Sequence, residues 1–196
     1  MYHSNSDEMT EAEIADAIIL SLAERQFPIY LKKYDGGGMT EADVFGINRS
    51  GYMYEYEIKR SRSDFRADFK NKHYKHLILS SGKCAGNYDE WKNGKRTGRQ
   101  IRRIGAPNRF YFACEPGLLA REDMPTYAGL VYIENVGLRE IKSAPFIHKE
   151  KANDFIYARI ATILCERCAW GMSYMTFKNK ERVARFNELQ IQHETN

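Results

Sequence analysis

The first pattern along the chain is an amphipathic helix near its start. Thr10-Glu11-Ala12-Glu13 has the sequence of a capping box, in which Glu13 would satisfy the helix N-terminus. Apolar residues then recur at helical spacing, at Ile14, Ile18 and Leu22. Because Phe27-Pro28 interrupts this pattern, we predict a helix over about residues 11–26.

Three strand patterns follow this helix. Residues 29–34 and 42–47 are strand-like, and a loop at residues 48–51 leads to a third segment over 52–59. In the third segment polar and apolar residues alternate with period two, which places Glu55, Glu57 and Lys59 on one face. We expect Glu55 to be exposed to solvent, because it lies one pleat away from Glu57.

The remaining elements complete one domain over residues 1–196. We predict a basic helix over about 63–76, a basic loop insertion over about 80–106, a C-terminal helix over 149–170 and a polar tail from about 177. The apolar strands expected after the insertion lie at 109–114, 127–133 and, as an edge strand, 138–141. The element order is αβββαβ, typical of an α/β fold with a mixed central sheet flanked by helices.

Composition narrows the class of protein without identifying it. The chain has 196 residues, of which 43% are hydrophobic and 29% charged, values that exclude disordered, collagen-like and coiled-coil proteins. No apolar stretch is long enough for a membrane span, and the first residues do not resemble a signal peptide. Four cysteines are too few for a disulfide scaffold, so we expect a cytoplasmic protein.

Positive charge is concentrated in one part of the chain. The net charge is +4, yet the segment from Lys59 to Arg103 contains fourteen Lys and Arg residues against four acids. Such an excess creates a positive potential that attracts polyanions, of which nucleic acid is the most abundant in the cytoplasm. The residues expected to contact phosphates are Arg66, Lys70, Lys92, Lys95, Arg96, Arg99, Arg102 and Arg103.

The candidate chemistry lies on the second and third strands. Asp43 precedes the hairpin and Glu57-Ile58-Lys59 follows it, so pairing of the two strands can bring the carboxylates of Asp43 and Glu57 together. Two carboxylates suit Mg²⁺ or Mn²⁺, which prefer oxygen ligands. Lys59 is placed to orient or deprotonate a water that attacks a phosphodiester.

These residues resemble the PD-(D/E)XK nuclease superfamily, whose restriction-endonuclease-like core has the same αβββαβ order. The chain is most similar to the MmcB-like DNA-repair nucleases, with the matching motifs Ala42-Asp43-Val44, Glu57-Ile58-Lys59, Ser63-Asp64-Phe65-Arg66-Ala67-Asp68, Arg109-Phe110-Tyr111-Phe112-Ala113 and Gly129-Leu130-Val131. The resemblance covers about residues 10–170. Ala42 replaces the proline of the superfamily motif, and the basic insertion leaves the form of the DNA substrate open.

The resemblance to resolvase-like members implies a further catalytic acid on the first helix. Glu13 is the best candidate, followed by Glu11 and Glu24, although the capping role remains an alternative for Glu13. His73 and His76 are expected either to contact the substrate or to pack with Phe69.

Two further groups have competing interpretations. Cys165 and Cys168 form a single C-x-x-C, which is more typical of buried or partly buried thiols than of a zinc site. Tyr88 and Trp91 could stack on bases or attach the insertion to the domain.

The sequence therefore predicts a metal-dependent DNA nuclease with Asp43, Glu57, Lys59 and Glu13 as its catalytic residues. The alternative is a protein of the same fold that binds nucleic acid or another protein and does not cleave DNA. The protein's metal affinity would separate these two hypotheses.

Overall fold

The strand-forming segments of the main sheet lie largely where the sequence predicts them. The computed structural model describes residues 9–35, 41–82, 86–92, 95–103, 106–134 and 137–171. Within these ranges we label three helices, α1 (Glu11–Glu24), α2 (Arg62–Asn71) and α3 (His73–Ser80). The strands are β1 (Ile29–Asp35), β2 (Glu41–Ile47), β3 (Met53–Ile58), β4 (Gly86–Lys92), β5 (Lys95–Arg103), β6 (Arg109–Cys114), β7 (Ala128–Glu134) and β8 (Gly137–Lys142).

Six of these strands form one mixed sheet in the order β1-β2-β3-β6-β7-β8. Strands β1, β2 and β3 pair antiparallel, β3 pairs parallel with β6, and β6 pairs parallel with β7. Strand β8 pairs antiparallel with β7 and closes the sheet at that edge. The prediction of an α/β fold with a mixed central sheet flanked by helices is confirmed.

Each face of the sheet packs against different helices. On one face, α1 buries Ile14, Ile18 and Leu22 against apolar side chains of β2, β3, β6 and β7. On the other face, Phe65 of α2 and Leu79 of α3 pack with aliphatic and aromatic side chains of β6 and β7. The sheet is thus covered on both faces by apolar cores.

Strand β3 contributes a different kind of side chain to each face. Tyr56 and Ile58 belong to the core beneath α1, as the period-two pattern predicts. Glu55 and Glu57 alternate with them, and the parallel register places Glu55 beside Phe110 and Glu57 beside Phe112 on the α2 and α3 side. Two carboxylates are therefore buried on the second face, with 1% of each residue exposed.

Two predicted elements differ from the structure. The segment over 80–106, predicted as a loop because of its glycines, contains the antiparallel pair β4–β5, which forms a sheet of its own. Between those glycines lie residues that favour strands, including Tyr88, Trp91 and Ile101. Their preference for strand structure prevailed over the tendency of the glycines to form a loop. The predicted helix over 63–76 is two helices, because Lys72 has φ −111° and ψ 34° and interrupts the first.

Two compact units lie along the chain, Met1–Ile156 and Tyr157–Asn196. The single domain over residues 1–196 that the sequence predicts stays a prediction. The first unit contains the six-stranded sheet and α1 to α3. In the second unit, residues 157–171 are helical, which agrees with most of the C-terminal helix predicted over 149–170; residues 149–153 are not helical. The polar tail predicted from about residue 177 lies outside the described residues. Among the helices that the structure describes, none has the length and apolar character needed to cross a membrane.

Close packing in the sheet predicts a large effect at Gly129. A Cβ atom there would lie 2.5 Å from two ring carbons of Tyr111 and 2.7 Å from the backbone nitrogen of Ala144. We expect Gly129→Ala to lower the free energy of unfolding by about 1–3 kcal/mol, as overpacking does in other cores. Urea denaturation measures this change. Gly171→Ala is the control, because a Cβ there meets no atom within 4 Å; equal stability of both variants would contradict the prediction.

Candidate active site

Strand pairing brings Asp43, Glu57 and Lys59 together on one face of the sheet. Val44 of β2 pairs with Tyr56 of β3, which puts Asp43 beside the end of β3. The Oδ2 atom of Asp43 accepts a hydrogen bond of 2.9 Å from the backbone N–H of Ile58, the residue between Glu57 and Lys59. Three of the four residues predicted to be catalytic are therefore neighbours.

Glu57 is surrounded by three lysines. Its Oε1 atom accepts hydrogen bonds from Lys59 Nζ at 3.2 Å and from Lys72 Nζ, and its Oε2 atom accepts one of 2.7 Å from Lys75 Nζ. Burial alone would raise the pKa of Glu57, but the positive charges of Lys75, Lys59 and Lys72 outweigh it and lower the pKa to about 2. Glu57 is therefore ionised throughout the neutral range.

Lys59 lies between two buried carboxylates. Its Nζ atom is 3.2 Å from Glu57 Oε1 and 2.9 Å from Asp68 Oδ1, and only 4% of its side chain is exposed. Burial would lower the pKa of Lys59, but the charge of Glu57 and the hydrogen bond to Asp68 raise it above its ordinary value. In this arrangement Lys59 remains an ammonium, which suits it to donate hydrogen bonds and to offset negative charge.

Asp68 connects Lys59 to a buried histidine. Its Oδ2 atom is 2.8 Å from His76 Nε2, and His76 Nδ1 is 2.7 Å from the Tyr127 hydroxyl. A neutral imidazole that donates from Nε2 to Asp68 accepts at Nδ1 from Tyr127, so all three groups are satisfied. Burial opposes ionisation of Asp68, but the hydrogen bonds from His76 and Lys59 hold its pKa well below the ordinary range.

Glu55 corrects one expectation from the sequence. It was predicted to be exposed, yet 1% of the residue is exposed and its Oε1 atom forms an ion pair of 2.5 Å with Lys75 Nζ. Lys75 has no exposed side-chain surface and also lies over the ring of Phe110, 5.2 Å from the ring centroid. The helices above β3 supply a cation to this face, which allows the strand to bury its charged side.

Asp43 is linked to α1 through Lys33. Lys33 Nζ donates hydrogen bonds of 3.0 Å to Asp43 Oδ1 and 2.5 Å to Glu11 Oε1. The backbone of Lys33 has φ +50°, an uncommon conformation for a residue other than glycine. Burial and the nearby charge of Glu57 raise the pKa of Asp43. Of the acids on α1, Glu11 is thus the one connected to the site by an ion pair.

Glu13 occupies the predicted position in the cap of α1. Its Oε2 atom accepts hydrogen bonds of 2.7 Å from the backbone N–H and the hydroxyl of Thr10, and Thr10 Oγ1 accepts one from the Glu13 N–H. The two hydrogen bonds from Thr10 lower the pKa of Glu13. These contacts account for a glutamate at this position, while its catalytic role remains a prediction.

The other sequence candidates lie in different parts of the chain. Arg66 and Lys70 are exposed on α2, and the six predicted phosphate-contacting residues of the basic segment belong to β4 and β5. His76 packs with Phe69 at a ring-centroid distance of 4.5 Å, as one interpretation predicted. Cys165 and Cys168, predicted to be buried or partly buried, are exposed.

A hard divalent cation is compatible with the donor chemistry of Asp43 and Glu57. Their carboxylate oxygens are ligands that Mg²⁺ and Mn²⁺ prefer, and a cation near both would relieve the repulsion that raises the pKa of Asp43. In the described part of the chain, no group of three His, Cys, Asp or Glu side chains is arranged to hold a metal. Lys33 and Lys72, whose side chains are 49% and 28% exposed, now contact the oxygens that a cation would use.

A cavity of about 190 Å³ opens beside Lys59. It lies where the parallel strands β3 and β6 end, and its lining includes Lys59, Arg60, Glu115 and, from α1, Ile14. Ligands of α/β proteins commonly bind at the carboxyl ends of parallel strands. The cavity is therefore an open space beside Lys59 of the candidate site.

Sequence reasoning missed most residues of the ion-pair network. Lys33, Asp68, Lys72 and Lys75 were not assigned to the site, and Glu55 was assigned to solvent. The spacing of Asp68, Lys72 and Lys75 places them close together on a helical surface, which was a usable signal. No comparable signal exists for Lys33, because its contact with Asp43 depends on the pairing of β1 with β2.

Comparison with known proteins gives information on the fold only. No protein-family profile matches the chain, and no curated protein matches it. The chain is similar to a solved structure described as SPO1766, a protein of unknown function from Silicibacter pomeroyi. The TM-score is 0.56 at 19% sequence identity, and the match covers 83% of this chain and 90% of the other. At this identity the similarity establishes a shared fold.

The buried lysine at position 75 should be essential for stability. We expect Lys75→Met to lower the free energy of unfolding by about 3–5 kcal/mol, because it removes a cation from two buried carboxylates. Urea denaturation is the measurement, and Lys70→Met on the exposed surface of α2 is the control. The double variant Glu55→Gln/Lys75→Met should recover part of the loss. Equal stability of Lys75→Met and Lys70→Met would contradict the arrangement.

The capping contacts of Glu13 predict a stability effect. Glu13→Ala removes both hydrogen bonds that Thr10 donates to the Glu13 carboxylate, and we expect a lower melting temperature with any enzymatic activity nearly retained. Thermal unfolding and an activity assay measure the two quantities, with Glu24→Ala at the other end of α1 as the control. A variant of unchanged stability that has lost activity would instead assign Glu13 to the site.

Proposed function

We propose that the protein is a metal-dependent nuclease that hydrolyses phosphodiester bonds in DNA. The observation that carries the proposal is the meeting of Asp43, Glu57 and Lys59 around the end of β3, where one hydrogen bond from the Ile58 N–H fixes Asp43 beside the Glu57–Lys59 pair. The resemblance of these residues to the PD-(D/E)XK superfamily belongs to the same proposal. We also propose a cytoplasmic location.

Asp43 and Glu57 are the residues that would hold Mg²⁺ or Mn²⁺. When bound, such a cation lowers the pKa of a coordinated water and offsets charge that develops on the phosphate. Lys33 and Lys72 would withdraw from the carboxylates, which their partly exposed side chains allow. Asp43 keeps its orientation throughout, because its second oxygen is held by the backbone of β3.

Lys59 would act as a hydrogen-bond donor. Its ammonium lies between Glu57 and Asp68, so a proton is retained on Nζ at neutral pH. From this position it can orient the attacking water or offset negative charge on the scissile phosphate. This role replaces the alternative in which Lys59 deprotonates the water.

The basic segment supports DNA as the substrate. Strands β4 and β5 form a hairpin separate from the main sheet, and their sequences include Lys92, Lys95, Arg96, Arg99, Arg102 and Arg103. Neutralisation of phosphates by such residues releases counterions and supplies affinity that does not depend on base sequence. Arg66 and Lys70 on α2 would extend the same contact.

One observation favours a second function. Both oxygens of Glu57 already form ion pairs, and the three lysines around it provide the charge that a metal would otherwise supply. A protein with this arrangement could bind nucleic acid without cleaving it. The affinity for Mn²⁺ and the cleavage of DNA distinguish the two functions.

Removal of the metal-binding carboxylates tests the proposed activity. We expect Asp43→Asn and Glu57→Gln each to reduce DNA cleavage by at least about 100-fold, equivalent to about 2.7 kcal/mol of transition-state stabilisation. Calorimetric titration should show weaker Mn²⁺ binding, while DNA binding is retained. Asp16→Asn is the control, because Asp16 is 61% exposed and pairs with Lys32 at the surface. Wild-type Mn²⁺ affinity in both site variants would exclude the assignment.

Replacement of four arginines tests the DNA-binding segment. Each lost phosphate contact should lower the slope of log affinity against log salt by about 0.7–0.9. We therefore expect the combined Arg96, Arg99, Arg102 and Arg103→Ala variant to bind DNA weakly at low salt, with a flatter salt dependence and unchanged Mn²⁺ affinity. Fluorescence anisotropy at several salt concentrations measures the slope. A wild-type slope would exclude this segment as a DNA contact.

A further inference from the structure

We infer that Asp68 is a positioning residue, which holds the Lys59 ammonium in the candidate site and gives it a partner when Glu57 binds a cation. The catalytic part of this inference rests on the proposed nuclease function. The structural part, that Asp68 fixes Lys59, depends only on the contacts of the buried network.

The first argument is the geometry of Lys59. Its Nζ atom lies 2.9 Å from Asp68 and 3.2 Å from Glu57, so the shorter contact is to the residue on α2. A lysine side chain has four rotatable carbon segments, and ordering it carries an entropic cost that close partners must offset. Two carboxylates whose side chains are 2% exposed meet that requirement.

The second argument is that Asp68 is itself held from the opposite side. Its Oδ1 atom contacts Lys59 while its Oδ2 atom contacts His76 Nε2 at 2.8 Å. His76 is fixed in turn by the Tyr127 hydroxyl and by packing against Phe69. Because each oxygen of Asp68 has its own partner, the carboxylate cannot rotate without loss of a buried hydrogen bond.

The third argument concerns the division of charge between the two carboxylates. Glu57 divides its negative charge among three lysines, because it also pairs with Lys72 and Lys75. Asp68 therefore supplies Lys59 with a second carboxylate contact in addition to that of Glu57. If a divalent cation binds an oxygen of Glu57, repulsion between the two positive charges would move the Lys59 ammonium away from the cation. Asp68 keeps the ammonium within the site, close to where an attacking water or a phosphate oxygen would lie.

Chemical labelling of Lys59 tests the structural part without any activity assay. Asp68→Asn is compared with Asp64→Asn, because the Asp64 carboxylate is 4.0 Å from Lys59 and 50% exposed. We expect reductive methylation of Lys59, followed by mass spectrometry, to be at least about fivefold faster in Asp68→Asn than in the wild type, as loss of a buried hydrogen bond implies. Unchanged labelling in a folded Asp68→Asn variant would overturn the inference.

Kinetics with Mn²⁺ and labelled DNA test the catalytic part. We expect kcat of Asp68→Asn to fall at least about tenfold, whereas KM and the calorimetric Kd for Mn²⁺ change less than about threefold. A wild-type kcat would overturn the positioning role. A parallel loss of Mn²⁺ affinity would also overturn it, since Asp68 would then act as a metal ligand.

A second variant keeps the test decisive if Asp68→Asn does not fold. Tyr127→Phe removes only the hydroxyl that holds His76, and it should lower kcat by about two- to tenfold with KM unchanged. Wild-type kcat and wild-type Lys59 labelling in Tyr127→Phe would then count against the inference. If the wild-type protein does not cleave DNA, the proposed function fails, while the labelling result still decides whether Asp68 holds Lys59.

Discussion

The burial of Glu57 is the constraint on which this side of the molecule depends. A carboxylate removed from water is unfavourable unless cations and hydrogen bonds surround it, and here Lys59, Lys72 and Lys75 provide them. Two of these lysines come from the break between α2 and α3 and from the first turns of α3. The interruption of the helix at Lys72 therefore helps α2 and α3 to cover the charged face of the sheet. Apolar packing by Phe65 and Leu79 anchors the same helices to the sheet.

The two faces of β3 carry different kinds of side chain. Tyr56 and Ile58 pack beneath α1 in an apolar core, while Glu55 and Glu57 face the ion-pair network on the other side. Asp43 joins this network from β2 and is tied to the N-terminal turn of α1 through Lys33 and Glu11. The site thus receives side chains from both helical layers, and its geometry depends on the register of β1, β2 and β3.

Much of the fold follows from periodicity, because one side of each element is apolar. The capping box at Thr10, the alternation through β3 and the apolar runs of β6 and β7 correctly predicted the mixed sheet and its helices. The exposure of Glu55 was predicted wrongly, since a local pattern cannot reveal that Lys75 covers it. The proximity of Asp43 to Glu57 followed from strand pairing, and the helical spacing of Asp68, Lys72 and Lys75 was a signal that could have been used. Lys33, in contrast, joined the site through a tertiary contact with no local signature.

The ion pairs that surround Asp43 and Glu57 would compete with a cation for the carboxylate oxygens. An ammonium that reaches a carboxylate from the surface, as Lys33 and Lys72 do, can withdraw into water at modest cost because part of its side chain is already hydrated. Lys75 cannot, since it is fully buried between Glu55 and Glu57. A bound cation would therefore displace Lys33 and Lys72 from the carboxylates and leave Lys75 in place. Glu57 would then remain anchored to α3 through the contact of Oε2 with Lys75, while Oε1 would lose the contact with Lys72. Its two oxygens would thus differ in role, one structural and one open to a ligand.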